Sequence, residues 1–261
     1  MSNAAYHSSA AIGSTSLKTL ATKTPAHYQW DKANPVHKPV YDLGSAAHAW
    51  ILEGDADQIV VVESDSWRTK AAKEARDEAY AAGKYPLLDE EFDRIDRMRA
   101  AILEHPIASQ MINPEHRFES SIFWEENGMP LKCRPDALAP DVIWDLKTAR
   151  SSHPGEFGRA ANTYGYHQSA AHYIDGVQRA TGEELPFRLV LIEKEAPFFV
   201  SVVEFEPAAV DLGSDLNAKA KDLWRTCTAN NHWPGYEGIS IVDVPAYAYW
   251  DEENEETEMK L

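Results

Sequence analysis

The sequence predicts an α/β fold in which a central mixed β-sheet is flanked by helices. Two kinds of pattern support this prediction. Apolar residues recur at helical spacing in several long segments, whereas other segments alternate apolar and polar residues or form short apolar runs typical of strands. The 261 residues, 44% of them hydrophobic, are enough for one sizeable packed core. We therefore predict a single domain over residues 1–250, followed by a tail at residues 251–261.

The N-terminal part is predicted to be helical, in four segments that cover residues 14–30, 44–52, 67–82 and 89–104. In the first helical segment, Leu17 and Leu20 follow Ser and Thr residues suited to helix capping, and the helix is expected to end near Pro25. The second segment contains small residues and good helix formers, and it carries His48. The fourth has an apolar stripe along one face.

The second half of the chain mixes strands with helices. Alternating residues from Arg117 onward, the turn Glu125-Glu126-Asn127-Gly128 and a return through residues 129–134 predict a β-hairpin. Further strands are predicted at residues 142–147, 187–193 and 198–205. Long helices are predicted at residues 156–179 and 210–227.

The charge of the chain at first argues against a nucleic-acid partner. The formal net charge is −17, whereas phosphate binding rests on Lys and Arg side chains. Residues 251–261 hold a dense acidic run that we expect to be disordered and that inflates this total. Because the remainder is also acidic, DNA contact would require a focused basic lining and bridging divalent cations.

Composition also bounds the location of the protein. No apolar run approaches the roughly 20 residues that cross a bilayer, and the N-terminus lacks the pattern of a secretory signal. We therefore expect a cytoplasmic protein with no membrane partner. Cys133 and Cys227 are too few for a disulfide framework and lack zinc-like spacing, so both are expected to be reduced packing residues.

Two carboxylates carry the strongest chemical signal. Asp136 lies near the end of the predicted hairpin, and Asp145 lies within an apolar strand. Since side chains alternate along a strand, Asp145 and Lys147 should point to one face and Trp144 to the other. Two aspartates on adjacent strands form a hard-oxygen site that suits Mg²⁺, for which Mn²⁺ commonly substitutes. A buried ion pair between an aspartate and a lysine is the alternative structural interpretation.

Pro135-Asp136 followed by Asp145-Leu146-Lys147 resembles the signature of PD-(D/E)XK nucleases. Other pieces of the chain, spread over residues 14–206, are similar in order and spacing to the exonuclease VIII (RecE) nuclease domain and its phage relatives, within the RecB-like branch. These pieces are Gly44-Ser45-Ala46-Ala47-His48, Glu119, Gly128, Arg134, Thr148, Tyr166-His167 and Tyr173-Ile174-Asp175-Gly176. The resemblance implies the PD-(D/E)XK fold.

The resemblance also implies roles for individual residues. Metal binding is implied for His48, Asp136, Asp145 and the backbone carbonyl of Leu146, with Lys147 catalytic. Glu119 is a further candidate for the same site. On the residues alone, a single histidine on a helix is more often a surface or core histidine than a ligand.

Contacts with DNA are implied less directly. Relatives carry Gln and Tyr four residues apart on the helix after the catalytic strand, but here Ser169 precedes Tyr173, and Gln168 lies one residue early. One residue turns a side chain by about 100° around a helix, which puts the role of Gln168 in question, and Tyr173 could equally be a core aromatic. The remaining candidates are Ser14, Ser16 and Lys18, which could hold a terminal 5′-phosphate, and Arg134 and Arg150, which could line the site.

The resemblance implies a Mg²⁺-dependent exonuclease that degrades linear double-stranded DNA from 5′ to 3′ and leaves 3′ single strands. It further implies a ring-shaped homo-oligomer, with a tetramer as the expected form, and a RecT-like single-strand annealing protein as partner. Two alternatives remain open. One is a RecB- or Cas4-like nuclease that prefers single strands, although such enzymes usually add an iron–sulfur cluster that two cysteines cannot build. The other is a catalytically silent DNA-binding or DNA-mimic protein.

Overall fold

The computed structural model describes residues 1, 3–34, 39–54, 56–245 and 249, so the predicted acidic tail at residues 251–261 lies outside the described residues. The helices described are α1 (Asn3–Ser8), α2 (Ser14–Thr22), α3 (Pro25–Ala33), α4 (Pro39–His48), α5 (Lys70–Ala81), α6 (Asp89–Glu104), α7 (Pro154–Tyr164), α8 (Tyr166–Thr181) and α9 (Pro207–Asn230). Within this part of the chain, no helix is both long enough and apolar enough to span a membrane.

The strands form a mixed central sheet with two small additions. They are β1 (Ile59–Val62), β2 (Tyr85–Leu88), β3 (Arg117–Phe118), β4 (Ile122–Glu126), β5 (Met129–Cys133), β6 (Ala137–Leu138), β7 (Ile143–Ala149), β8 (Phe187–Glu193) and β9 (Val200–Glu204). The five-stranded sheet has the order β3-β6-β7-β8-β9, in which β7 and β8 run parallel and the other neighbours run antiparallel. The predicted fold class is therefore confirmed.

Helices cover both faces of this sheet because β7 and β8 are apolar on both sides. Trp144 and Leu146 project toward the core that includes α6, where Ile95 and Met98 are buried. Ile143 projects to the opposite face, toward the core formed with α7 and α8. A third apolar cluster joins α2 and α9 to the hairpin of β4 and β5. Strand β7 is thus the middle strand of the sheet, and packing on both faces fixes the positions of its side chains.

Three predicted helices differ in detail from those observed. The predicted helix at residues 156–179 is two helices, because Gly165 between them adopts the left-handed conformation with φ 64°. The first helix ends at Thr22, and α3 begins at Pro25 with Thr24 as its cap. Helix α4 continues after His48 as a short π-helix, Ala49–Glu53. The prediction at residues 89–104 is confirmed without change.

The predicted hairpin is confirmed, but its first strand is interrupted. Strand β3 pairs with β6 in the main sheet, whereas β4 pairs with β5 in a separate ribbon. The chain changes partner at Glu119, whose φ of 47° is unusual for a residue with a side chain. The parallel pair β1 and β2 was not predicted, because each strand has only four residues.

Candidate active site

Strand β7 places a carboxylate and an ammonium on one face. Asp145 and Lys147 project to the same side, as the strand period predicted, and Lys147 Nζ lies 2.5 Å from Asp145 Oδ2. The same Nζ donates a hydrogen bond of 3.4 Å to the carbonyl of Leu146. Asp145 is buried, whereas about a third of the Lys147 side chain is exposed. The ammonium is therefore held at the edge of a buried acid, within reach of the cleft.

Asp136 precedes β6 and is fixed by the neighbouring strand. Its Oδ2 accepts a hydrogen bond of 2.6 Å from the backbone N–H of Leu146, and its Oδ1 lies 3.5 Å from His48 Nδ1. Because β6 pairs antiparallel with β7, the backbone itself sets the position of this carboxylate. Asp136 is 6% exposed, so its charge is largely removed from water.

Three side chains converge on this point. Ligand atoms of His48, Glu119 and Asp136 lie within 4.8 Å of one another, contributed by the end of α4, the break after β3 and the turn before β6. Two carboxylates and one imidazole form a donor set that suits Mg²⁺ or Mn²⁺, with the imidazole favouring Mn²⁺. The residues thus fit the metal that the sequence predicted.

The composition of this group differs from the expected one. Asp145 was expected among the ligands, yet in the described part of the chain it is outside the 4.8 Å group and is paired with Lys147. Glu119, the further candidate, is inside the group, at a residue whose backbone is left-handed with φ 47°. Metal contacts by Asp145 and the Leu146 carbonyl remain predictions.

The carboxylates of the site differ in their electrostatics. Burial raises the pKa of Asp136, but His48, Lys147 and the Leu146 N–H outweigh it, so that this pKa is lower than usual. Burial, with the nearby charge of Asp136, raises the pKa of Asp145 although Lys147 opposes the change. Burial and Asp136 also raise the pKa of Glu119 to about 7. Burial and close carboxylates thus disfavour the charged forms of Glu119 and Asp145, and a bound cation would relieve this penalty.

The two basic groups respond in the opposite sense. Burial lowers the pKa of His48, but Asp136 outweighs it and the pKa is raised. Burial likewise lowers the pKa of Lys147, and Asp145 and Asp136 raise it well above its usual range. Lys147 is therefore a stable ammonium in this environment.

Arg134 occupies a different place from the one expected for a DNA contact. It is 7% exposed, its guanidinium lies over the ring of Tyr6 and donates hydrogen bonds to Ser121, and Nη1 lies 3.6 Å from Glu119. Its charge is directed into the protein, toward a candidate metal ligand. The structure therefore supports a role in positioning Glu119 rather than a solvated contact with phosphate.

The structure also separates the other DNA-binding candidates. Gln168 is 1% exposed, and Tyr173 packs edge-on against Phe187 in the core, which argues against direct DNA contact by either residue. Arg150 is exposed and lines the cleft. Lys18 is close enough to Lys147 and Asp145 for both charges to act on its pKa, which burial lowers.

Ser14 and Ser16 lie in the first turn of α2 and are partly buried. Their predicted contact with a 5′-phosphate remains a prediction.

The site opens into a cleft of about 1420 Å³. Its lining includes Tyr164, which the sequence analysis did not name, and Tyr166, which it named within the family resemblance but gave no role. The signal that could have found them is Gly165, which separates two aromatic residues at a helix break. The lining also includes His48, Glu119, Arg134, Lys147 and Phe157.

Comparisons with known proteins agree with this geometry. A crystal structure from Eubacterium rectale, named “Putative exonuclease”, superimposes with a TM-score of 0.65 at 15% identity and covers 94% of this chain and 95% of that one. A phage-related exonuclease from Haemophilus somnus and an alkaline exonuclease from Laribacter hongkongensis give TM-scores of only 0.35 and 0.34, at 12% and 13% identity. They cover 72% and 62% of this chain, and 94% and 82% of their own. No curated protein sequence matches the chain.

A family model covers most of the sequence. The family described as PDDEXK-like domain of unknown function (DUF3799) matches residues 13–243, which include all the site residues named above except those of α1. The Eubacterium rectale structure independently supports the same fold over nearly the whole chain. The chain therefore belongs to this PDDEXK-like family and has the PD-(D/E)XK fold.

Proposed function

We propose that this chain is a metal-dependent exonuclease that hydrolyses phosphodiester bonds of linear double-stranded DNA from 5′ to 3′ and leaves 3′ single strands. One observation carries the proposal. The donor group of His48, Glu119 and Asp136 lies beside the Asp145–Lys147 pair, and His48, Glu119 and Lys147 line one cleft. The resemblance to RecE-like nucleases supports the choice of duplex DNA and the polarity.

The residues divide the work of the reaction. His48, Glu119 and Asp136 would hold Mg²⁺ or Mn²⁺, which polarises a phosphate and lowers the pKa of a bound water. Lys147, kept protonated by Asp145, would place a positive charge where negative charge develops on the phosphate oxygens. Because its pKa is raised, Lys147 is better suited to stabilise charge and orient water than to accept a proton. Arg134 would keep the Glu119 carboxylate in place.

Partners are proposed on the resemblance alone. A ring-shaped homo-oligomer, as in RecE-like nucleases, would keep a DNA end in the cleft, and a RecT-like annealing protein would receive the 3′ strand. The acidic residues 251–261 could repel stray DNA or bind a basic surface of such a partner. Sedimentation of the full chain tests the ring-shaped oligomer. If deletion of residues 251–261 leaves binding of the annealing protein unchanged, the proposed role of these residues in partner binding loses its support.

The test is digestion of linear duplex DNA with and without 5′-phosphates, in Mg²⁺ or in EDTA. We expect Mg²⁺-dependent release of nucleotides from phosphorylated 5′ ends, lost in Lys147→Ala and retained in the exposed control Lys73→Ala. Preference for single strands would favour the RecB-like alternative. Equal inactivity of the native chain and Lys147→Ala on every DNA substrate would contradict the proposal and favour a silent or DNA-mimic protein.

A further inference from the structure

An aromatic group lies on one wall of the catalytic cleft. We call Phe157, Tyr164 and Tyr166 the aromatic shelf. The rings of Phe157 and Tyr166 are nearly parallel, with 8° between their planes and 5.8 Å between their centroids. The rings of Tyr164 and Tyr166 follow at 5.6 Å and 35°. All three residues line the cleft together with Lys147, so the shelf and the catalytic pair belong to one cavity.

Exposure increases along the shelf. Phe157 is buried, Tyr166 is half-buried and Tyr164 is 61% exposed. The inner ring therefore anchors the middle one, and the middle one supports the outer one. A large aromatic side chain held in this way offers area for binding with little conformational entropy left to lose.

The backbone and a lysine hold this arrangement together. Gly165, with φ 64°, ends α7 and begins α8, so Tyr164 and Tyr166 meet across a turn instead of lying along one helix. A Cβ at position 165 would lie 2.8 Å from Lys18 Cδ, which shows how closely α2 packs here. Lys18 Nζ lies 6.0 Å from the centroid of the Tyr166 ring.

Charge and aromatic area are thus arranged in sequence along the wall. Lys147 lies at the inner end, where its charge and that of Asp145 act on Tyr166, and Lys18 packs against Tyr166 outside the cleft lining. The exposed ring of Tyr164 lies at the outer end. Cations that contact phosphate, together with aromatic rings that stack on bases, are the usual means of binding single-stranded nucleic acid.

We propose that the aromatic shelf binds the base of the terminal nucleotide, which stacks on the exposed ring of Tyr164 in the cleft that Lys147 also lines. The site would take any of the bases, since each has a flat face. Bases inside a duplex are covered on both faces by their neighbours, so the shelf would favour an end over an internal position. This inference rests on the proposed nuclease function and deepens it.

The test measures DNA binding without cleavage, by fluorescence anisotropy in the presence of Ca²⁺. Labelled duplexes carry either ordinary terminal nucleotides or abasic ones at both ends. We expect Tyr164→Ala to weaken binding of the ordinary duplex by about 5- to 100-fold. Binding of the abasic duplex should change little, and Tyr164→Phe should retain native affinity for both. Trp30→Ala is the matched control, because it removes another exposed aromatic side chain, which is 68% exposed. This variant should bind DNA like the native chain.

Two results would overturn the shelf: equal weakening of ordinary and abasic duplexes by Tyr164→Ala, or no weakening of either. Because Tyr164 is exposed, its replacement should leave the fold intact, which circular dichroism can verify. Digestion assays on the same variants separate this inference from the proposed function. If the native chain binds DNA in a base-dependent way but has no nuclease activity, the shelf is supported and the proposed nuclease function is contradicted. If it has nuclease activity but no base-dependent binding, the nuclease function is supported and the shelf is contradicted.

Discussion

Two clusters of charged residues lie in this molecule, and they are built differently. The catalytic cluster contains His48, Glu119, Asp136, Asp145 and Lys147. The helix cluster contains Glu126, Asp175, Arg179, Lys221 and Arg225, between β4, α8 and α9. In the helix cluster Glu126 and Asp175 pair with lysine and arginine side chains, whereas in the catalytic cluster three carboxylates converge with one lysine and one histidine, and Arg134 lies 3.6 Å from Glu119.

The difference matches the two roles that we propose for these clusters, metal binding for the catalytic cluster and stability for the helix cluster. The carboxylates of the helix cluster are satisfied by Lys221, whose Nζ lies 2.8 Å from Glu126, and by Arg179, 2.9 Å from the same oxygen. In the catalytic cluster, beside an open cleft, burial and the nearby charge of Asp136 raise the pKa of Glu119 and Asp145. Buried carboxylates with raised pKa values beside a cleft are suited to a cation from outside the chain, which would stabilise their charged form.

The largest expected effect is on activity. Asp145→Asn removes the charge that holds Lys147 in place, so we expect nuclease activity to fall by about 10²- to 10³-fold. Asp175→Asn in the helix cluster is the matched control and should retain most activity. Rates of nucleotide release from linear duplex DNA provide the measurement. Similar losses in both variants would mean that the two clusters do not differ in function.

The next effect is on stability and concerns the helix cluster. Lys221→Met leaves Glu126 and Asp175 without their shared, largely buried partner, so we expect the free energy of unfolding to fall by about 2–3 kcal/mol. Lys219→Met, on the exposed side of the same helix, should have little effect. Urea denaturation measures both. The nuclease activity of folded Lys221→Met should be unchanged. A loss of activity in the folded variant would contradict a purely stabilising role for the helix cluster.

The third effect is the pH dependence of metal binding in the catalytic cluster. Below a pKa of about 7, Glu119 carries a proton that a metal must displace, and the raised pKa of His48 acts in the same direction. We therefore expect Mn²⁺ affinity to rise by about tenfold between pH 6 and pH 7, to level off at higher pH, and to release protons. Titration calorimetry in buffers of different ionisation enthalpy measures this. Glu119→Gln should bind more weakly with a shallower pH dependence, so an unchanged slope would exclude Glu119.

The smallest effect again belongs to the helix cluster. The Arg179 side chain is 42% exposed, so its ion pairs with Glu126 and Asp175 are screened by solvent. We expect Arg179→Gln to lower the free energy of unfolding by about 0.5 kcal/mol. A chemical denaturation curve determines the value. A loss as large as that of Lys221→Met would show that the cluster acts as a single unit.

Some of the site could be predicted from the sequence because it follows strand geometry. The period of a strand places Asp145 and Lys147 on one face, and the structure confirms this placement. The position of Glu119 depends on a switch between two strand partners, for which a local sequence pattern carries little signal.

Long-range packing explains the remaining differences. Arg134 is buried because residues more than 100 positions away, including Tyr6, cover it. The shelf depends on the helix break at Gly165, which a continuous helical pattern conceals.

The most direct test of the account is Mn²⁺ binding to the native chain and to one variant of each cluster, measured by titration with electron paramagnetic resonance detection of free Mn²⁺. We predict that the native chain and Glu126→Gln bind Mn²⁺ with the same affinity, and that Asp136→Asn loses this binding. Unchanged binding in Asp136→Asn, or an equal loss in Glu126→Gln, would contradict the placement of a metal between His48, Glu119 and Asp136.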